Sequence, residues 1–137
     1  MKKLIPILIV LLSITLKINA QCKTDNAIIV SQHIHTVLES GQKYSVSVTF
    51  KNTGESTWQK EKYWILYTDP RMNAAASNPW VTDKIKIKKN VRPGKSYTFN
   101  FYITAPNEPG TYFFSWLMCS ESGSFGSGSE LKEVKVN

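Results

Sequence analysis

The feature that most constrains this chain is an alternation of apolar and polar residues with a period of two. Between residues 43 and 52 every second side chain is apolar, and residues 97–104 repeat the pattern (Tyr44, Val46, Val48, Phe50; Tyr97, Phe99, Phe101, Ile103). Such alternation is typical of a strand with one buried and one wet face. Weaker strand patterns cover residues 27–38, 62–68, 81–88, 111–119 and 131–136.

Turn-forming residues separate these seven segments. They include Ser40-Gly41, Asn52-Thr53-Gly54, Asp69-Pro70, Asn78-Pro79, Pro93-Gly94, Pro109-Gly110 and the Ser/Gly run 122–129, which is predicted to be a flexible turn. Seven short strands with turns at regular spacing predict an all-β fold, an immunoglobulin-like antiparallel β-sandwich of about seven strands.

In the segment 111–119, both alternating sets of side chains contain large apolar residues, which predicts a strand that is covered on both faces. One face would belong to the core between the sheets. The other needs a loop, a partner or a second copy of the chain, and the long segment 69–83, with Met72 and Trp80, is the expected cover.

The N-terminal residues have the layout of a secretory signal peptide. A basic start is followed by 13 almost entirely apolar residues from Leu4 to Leu16, and then by a polar stretch ending at Ala20. The run is shorter than the roughly 20 residues of a spanning helix. We therefore predict a signal peptide at 1–20, one domain at 21–137 without a transmembrane segment, and export to the periplasm, the cell surface or the medium.

The net charge argues against a nucleic-acid partner. It is +7 for the whole chain and falls to +4 when Lys2, Lys3 and Lys17 are removed with the leader. This is well below the charge density of a dedicated nucleic-acid binder.

The two cysteines, Cys22 and Cys119, leave three interpretations open. In an oxidising compartment they could form a disulfide. Alternatively, Cys119 is a semi-buried thiol and Cys22 lies on a free terminus. A third interpretation makes Cys22 a lipidated cysteine, although Gln21 departs from the usual small residue before it.

Four segments in order resemble the four-tryptophan (FW) domain, the immunoglobulin-like central domain of next-to-breast-cancer-gene-one autophagy receptors, here in a bacterial secreted variant. They are K-N-T-G-E-S-T-W at 51–58, V-R-P-G at 91–94, T-A-P-N-E-P-G-T-Y at 104–112 with Trp116-Leu117, and G-S-F-G at 123–126. The resemblance covers about 42–136. It implies structural roles for Asn52, Gly54, Trp58, Pro109, Gly110, Tyr112, Trp116, Phe125 and Gly126, and a protein-binding function.

The turn chemistry agrees with this resemblance. Asn52 can cap its own backbone, and Gly54 is expected to supply a positive φ. Trp58 is predicted to plug one end of the sandwich. Tyr112 is predicted to act as a tyrosine corner, with its hydroxyl bonded back to the preceding loop.

The chemistry-bearing residues do not indicate an enzyme, a metal site or a cofactor. His33 and His35 share one strand face, but a third ligand that converges on them is not evident. If Ile28, Val30 and Ile34 point inward, both histidines are exposed. The sequence also lacks a nucleophile elbow and a phosphate-binding glycine loop.

A basic stretch contains six cations in 12 residues without an acid (Lys84, Lys86, Lys88, Lys89, Arg92 and Lys95). Lysines on a strand can protect a sheet edge from pairing. The same charges could instead bind an anionic partner, such as an acidic glycan or a lipopolysaccharide phosphate.

Three aromatic residues are candidate ligand-binding residues: Trp80, on a proline-flanked loop, and then Trp64 and Tyr102. Exposed aromatic rings bury much area at low entropic cost when they bind peptides or sugars. The alternative for Trp80 is that it folds back over Phe113 and Leu117. The sequence thus predicts an exported, non-catalytic recognition module for a protein or peptide, or alternatively a cell-surface carbohydrate-binding module.

Overall fold

The computed structural model describes residues 24–69, 71 and 78–137. Within these residues it contains strands and turns and no helix. The strands are β1 (Ala27–His33), β2 (Val37–Leu38), β3 (Lys43–Asn52), β4 (Tyr63–Tyr67), β5 (Ile85–Lys86), β6 (Ser96–Thr104), β7 (Gly110–Phe114), β8 (Trp116–Ser120), β9 (Gly123–Phe125) and β10 (Lys132–Val136).

The strands form two layers. One layer is the sheet β1-β3-β6, and the other combines β2-β10-β7 with β5-β4-β8-β9. All pairings are antiparallel except that of β2 with β10. The all-β, immunoglobulin-like sandwich predicted from the alternation is therefore confirmed.

The second layer is held together at Ser115, which interrupts what would otherwise be one strand from β7 to β8. The Ser115 hydroxyl donates to the carbonyl of Ser129 at 3.1 Å, and the Ser129 hydroxyl accepts from the Trp116 amide at 2.7 Å. Because both serines are buried, this pair satisfies polar groups that the interruption would otherwise leave unpaired in the core.

The core between the layers is built from the alternate side chains of each strand that point toward the opposite layer. Its largest fully buried side chains are Trp58, Trp80, Trp116, Phe50, Phe99 and Phe114. The ring of Trp116 lies among those of Tyr67, Phe101 and Phe114, with centroids 5.0 to 6.0 Å apart. Edge-to-face packing of this kind adds to the free energy gained by burying the rings.

Each of the seven predicted segments contains a strand, but the described residues form more strands than the sequence predicts, for two reasons. Segments 27–38 and 111–119 are each divided into two strands. In addition, the Ser/Gly run was predicted to be a flexible turn, and this is wrong for Gly123–Phe125, which pairs with β8 as β9.

The turn after β3 depends on the buried side chain of Asn52. Its Nδ2 donates to the carbonyls of Ser56 and Val91, and its Oδ1 accepts from the Gly54 amide at 3.0 Å. The expected positive φ at Gly54 is not observed. The glycine is needed for space, because a Cβ there would lie 2.5 Å from the Asn26 amide nitrogen.

Two further motif residues, Trp58 and Tyr112, lie in the core or pack against it. Trp58 is fully buried and forms an isolated backbone bridge with Val91, and its ring packs on Tyr63 and Phe125. The Tyr112 hydroxyl donates to the Glu108 carbonyl at 2.7 Å. This is the tyrosine-corner hydrogen bond to the preceding loop.

Candidate functional site

The candidate site begins with a β-bulge in the edge strand β1. Ile29 pairs with Phe50 of β3, but the next paired residue of β1 is Ser31, opposite Thr49. Val30 is therefore the extra residue. Side chains along a strand alternate between the two faces of the sheet. The extra residue therefore places every later side chain of β1 on the face opposite to the one that a regular alternation would give it.

The bulge corrects the prediction that Ile28 and Val30 point inward. Before the bulge the inward residues are Ala27 and Ile29, so Ile28 and Val30 are 44% and 55% exposed. After it the inward parity changes, and Ile34 is buried as predicted. The sequence pattern contains no sign of the bulge, because Ile28, Ile29 and Val30 are all apolar.

The same change of face turns Gln32 toward the inside, where it pairs opposite the buried Val48. Its Nε2 donates to the Glu130 carbonyl at 2.9 Å, which connects β1 to the segment before β10. Its Oε1 is buried and has no hydrogen-bond partner among the residues that the structure describes. A buried acceptor left in this state costs about 1–3 kcal/mol.

Two other buried polar atoms in the described part of the chain also lack a partner, Nε1 of Trp58 and Nε1 of Trp116. Both belong to fully buried indole rings that pack against other aromatic rings. Gln32 differs from them because it also lines an open groove.

This groove, called here the β1 groove, has a volume of about 600 Å³. It is lined by residues 29–32 of β1 and residues 130–133 before and within β10. Ile29, Val30 and Leu131 provide apolar surface, while Glu130, Lys132 and Glu133 give the opposite wall its charges. The groove therefore combines apolar surface with a charged wall beside a sheet edge.

Among the residues that the structure describes, nothing pairs with the edge of β1 along most of its length. β1 is the outermost strand of its sheet. At its start the Ala27 carbonyl accepts from the Ser127 amide at 3.0 Å. From Ile28 to His33, the only backbone hydrogen bonds within the described residues are those to β3. An uncharged, unpaired edge of this kind can accept another strand.

Trp80, the first candidate for an exposed binding residue, is fully buried, so that prediction is wrong. The Asn78 side chain accepts from the Trp80 amide at 2.9 Å and turns the loop inward. The indole Nε1 then donates to the Phe113 carbonyl at 2.9 Å, and the ring packs edge-on against Tyr112 and Phe114. Trp80 thus belongs to the core and does not cover the second face of β7.

That second face is covered at Phe113 by Arg71. The Arg71 guanidinium lies 3.5 Å from the Phe113 ring centroid, and it forms an ion pair with Asp69 at 2.6 Å. Arg71 holds the pKa of Asp69 below its ordinary value, chiefly through this side-chain hydrogen bond. The predicted cover from segment 69–83 is present here, whereas Met72 lies outside the described residues.

The other two aromatic candidates, Trp64 and Tyr102, do not form one site. Trp64 on β4 is half-buried beneath the Lys84 ammonium, which lies 4.4 Å from its ring centroid. Tyr102 on β6 is 63% exposed, with Lys43 4.9 Å from its ring. The strands belong to different sheets, so the two rings lie on opposite sides of the sandwich.

The histidines and cysteines form no catalytic or metal-binding cluster in the described residues. His33 and His35 are exposed and line a shallow groove with Ser45 and Lys132. No group of three or more potential metal-ligating side chains is found among the residues described. Cys119 is buried, which raises the pKa of its thiol, while Cys22 and the predicted leader 1–20 lie outside the described residues.

In the described part of the chain, no helix is long and apolar enough to cross a membrane.

Comparison with solved structures shows weak similarity to parts of much larger enzymes. The β-glucosidase from Listeria innocua, crystallised with glucose, matches 84% of this chain with a TM-score of 0.38 and 15% identity. The β-glucosidase from Kluyveromyces marxianus matches 84% with a TM-score of 0.36 and 16% identity. The chain spans only 16% and 15% of those proteins. A search of curated protein sequences found no match.

The family comparison is more informative. Residues 33–132, which make up most of the chain, match the model of the Ig-like domain from next to BRCA1 gene. The matched range contains all four motifs singled out in the sequence, from Lys51 to Gly126. On this evidence, the chain belongs to the family of Ig-like domains from next to BRCA1 gene.

Proposed function

We propose that this protein is an exported, non-catalytic recognition module that binds an extended peptide segment of a protein partner along β1. Export is inferred from the leader-like pattern at 1–20, which would deliver the domain to the periplasm, the cell surface or the medium. The immunoglobulin-like family supports a binding role.

The observation that carries this proposal is the unpaired edge of β1 beside the β1 groove. A peptide that adds as a fourth strand to the sheet β1-β3-β6 would find free backbone donors and acceptors along Ile28–His33. Main-chain hydrogen bonds supply affinity in this mode of binding, and pockets for alternate side chains supply specificity. The apolar residues Ile29, Val30 and Leu131 provide such a surface.

The charges and the buried amide of the β1 groove add chemical selectivity. Glu130 and Glu133 flank Lys132 on the wall opposite β1, so a basic side chain of the peptide would meet two carboxylates. At the same place, Gln32 Oε1 is an acceptor that no described residue of the chain uses. A peptide N–H that reaches it would satisfy this oxygen and remove the cost of leaving it unpaired.

The test is selection of binders from random peptides displayed on phage, followed by titration of the selected synthetic peptides. Val30→Lys places a charge on the open edge and should weaken binding about tenfold or more, because a lysine there opposes strand addition. The matched control is Val37→Lys on β2. Val37 is 53% exposed and Val30 is 55% exposed, so both changes disturb the fold to a similar small degree.

Hydrogen exchange gives an independent measurement. Bound peptide should slow amide exchange in residues 28–33 and leave the exposed turn at 59–62 unchanged. Peptides that bind Val30→Lys and the unmodified protein equally, or that protect another edge, would contradict the proposal.

The alternative function, carbohydrate binding, loses its first candidate because Trp80 is buried. The residues that still favour it are Trp64 and the lysines around it, which lie in the second layer of the sandwich.

A further inference from the structure

A second surface lies on the outer side of β4 and β5. Trp64 and Lys86 are direct cross-strand partners, and the Lys84 ammonium lies 4.4 Å from the Trp64 ring centroid. Leu66 follows two residues after Trp64 on the same face and is 41% exposed. We call Trp64, Leu66, Lys84 and Lys86 the β5 face.

An open groove of about 710 Å³ runs along this surface. Its lining residues are Leu66, Asp83, Lys84, Ile85, Lys86 and Lys88. Three lysines thus outnumber one aspartate, and apolar side chains lie between them. Within the described residues, Lys88 is paired with Glu61 at 3.3 Å, but Lys84 and Lys86 form no ion pair.

The lysines are regularly spaced because they follow an extended backbone. β5 pairs with β4 at Ile85 and Lys86, and the Ile87 amide continues the ladder to the Tyr63 carbonyl at 2.9 Å. Lys84, Lys86 and Lys88 are therefore about 6.6 Å apart from one to the next along the chain. Lys89, Arg92 and Lys95 extend the positive charge beyond the strand.

Edge protection accounts for part of this arrangement. β5 is the outermost strand of its sheet, as the lysine pattern predicts. Edge protection does not require the ammonium of Lys84 to lie on the face of Trp64, nor Leu66 to remain exposed beside it. Contact with the ring fixes Lys84 over an apolar surface, which reduces the entropy lost when the lysine binds an anion.

We propose that the β5 face binds an acidic polysaccharide. The carboxylate or sulfate groups of the polymer would bind Lys84 and Lys86 through charge-assisted hydrogen bonds. The apolar faces of its sugar rings would pack on Leu66 and on the edge of Trp64 that Lys84 leaves uncovered. A row of evenly spaced cations matches a polymer with repeated anionic groups better than it matches a single charged molecule.

The test compares polygalacturonate with a neutral dextran as probes for the purified protein, at several salt concentrations. We expect binding to polygalacturonate that weakens as salt rises, and no binding to dextran. The double variant Lys84→Gln/Lys86→Gln should bind polygalacturonate about tenfold or more weakly, because it loses two charge-assisted contacts.

The matched control is Lys43→Gln/Lys51→Gln, which removes the same charge from the other layer. Lys43 also lies over an aromatic ring, that of Tyr102, at 4.9 Å. An equal loss in both double variants would show only a general charge effect and would overturn the proposal.

Two more measurements separate the sugar from other anions. Trp64→Leu should weaken binding of polygalacturonate but not of inorganic polyphosphate, which has no sugar ring. Vesicles that contain anionic lipid test a membrane surface instead. Binding to these vesicles without binding to polygalacturonate, or no binding to either probe, would overturn the proposal. Neither result bears on peptide binding at the β1 groove, which shares no lining residue with the β5 face.

Discussion

Gly126 lies directly against the backbone of Ala27. A Cβ on Gly126 would be 2.6 Å from the Ala27 carbonyl oxygen and 2.7 Å from its nitrogen. Gly126 also has a φ of +74°, which favours glycine. The next residue, Ser127, donates its amide to that same carbonyl. This contact fixes the start of β1, and with it the position of the β1 groove.

Gly126→Ala is therefore expected to destabilise the fold strongly. The new methyl group cannot fit beside Ala27 unless β1 or the 126–129 segment moves, and the left-handed backbone adds strain. We expect a loss of about 2–4 kcal/mol in the free energy of unfolding, measured by denaturant titration.

The control for this variant is Gly123→Ala. Gly123 also has a positive φ, +115°, but a Cβ added there would have no neighbouring atom within 4 Å in the described part of the chain. Gly123→Ala should lower the free energy of unfolding only by the cost of backbone strain, about 1–2 kcal/mol. Equal losses in the two variants would mean that contact with Ala27 is unimportant.

Tyr112→Phe tests the tyrosine corner. The variant removes one hydroxyl, whose hydrogen bond to the Glu108 carbonyl is 2.7 Å long, and leaves the ring contact with Trp80 in place. We expect a loss of about 0.5–1.5 kcal/mol in unfolding free energy. Tyr102→Phe is the control, because Tyr102 is mostly exposed, and it should be close to neutral. A neutral Tyr112→Phe would contradict the structural role of the corner.

The sequence predicts the sandwich well because, in most strands, the alternation of inward and outward side chains continues without interruption from one end to the other. β3 and β6 pair in continuous register from Lys43↔Thr104 to Lys51↔Ser96, and the alternation found in the sequence is the one that faces the core. Position-specific turn residues add to this. Asn52 and Tyr112 make local hydrogen bonds of the kind that their sequence neighbours suggest.

The candidate site could not be found in the same way. β1 changes parity at Val30 among three consecutive apolar residues, so no pattern reveals that Gln32 turns inward. Trp80 illustrates a related difficulty. A tryptophan on a long loop can be exposed or buried. Here the Asn78 side chain turns the loop, and the indole donates to Phe113, 33 residues further along the chain. No local pattern around Trp80 reveals this second contact.

Tyr63 should make the free energy of unfolding depend on pH in the alkaline range. Burial, and then the hydrogen bond and charge of Asp25, raise the pKa of Tyr63 from about 10 to about 12. Between these values the unfolded chain loses the phenol proton while the folded protein keeps it. The folded state then binds more protons, so its stability falls as pH rises through this window.

Tyr63→Phe removes this contribution. The difference in unfolding free energy between the unmodified protein and the variant should shrink from about pH 9 to about pH 12. Asp25→Asn should lower the pKa of Tyr63 only in part, since burial remains the larger cause. Titration of phenolate absorbance measures that pKa directly. A difference that grows with pH would have the wrong sign.

Gln32→Leu separates stability from recognition at the β1 groove. The leucine has a similar shape and removes the buried Oε1 that lacks a partner among the described residues. The same change frees the Glu130 carbonyl, but Glu130 is exposed and water can bind there. We therefore expect stability to stay constant or rise by about 1 kcal/mol, while the affinity for selected peptides falls. Gln59→Leu on an exposed turn is the control and should change neither quantity. A clear loss of stability in Gln32→Leu, or unchanged peptide affinity, would show that the glutamine serves only to connect β1 to Glu130.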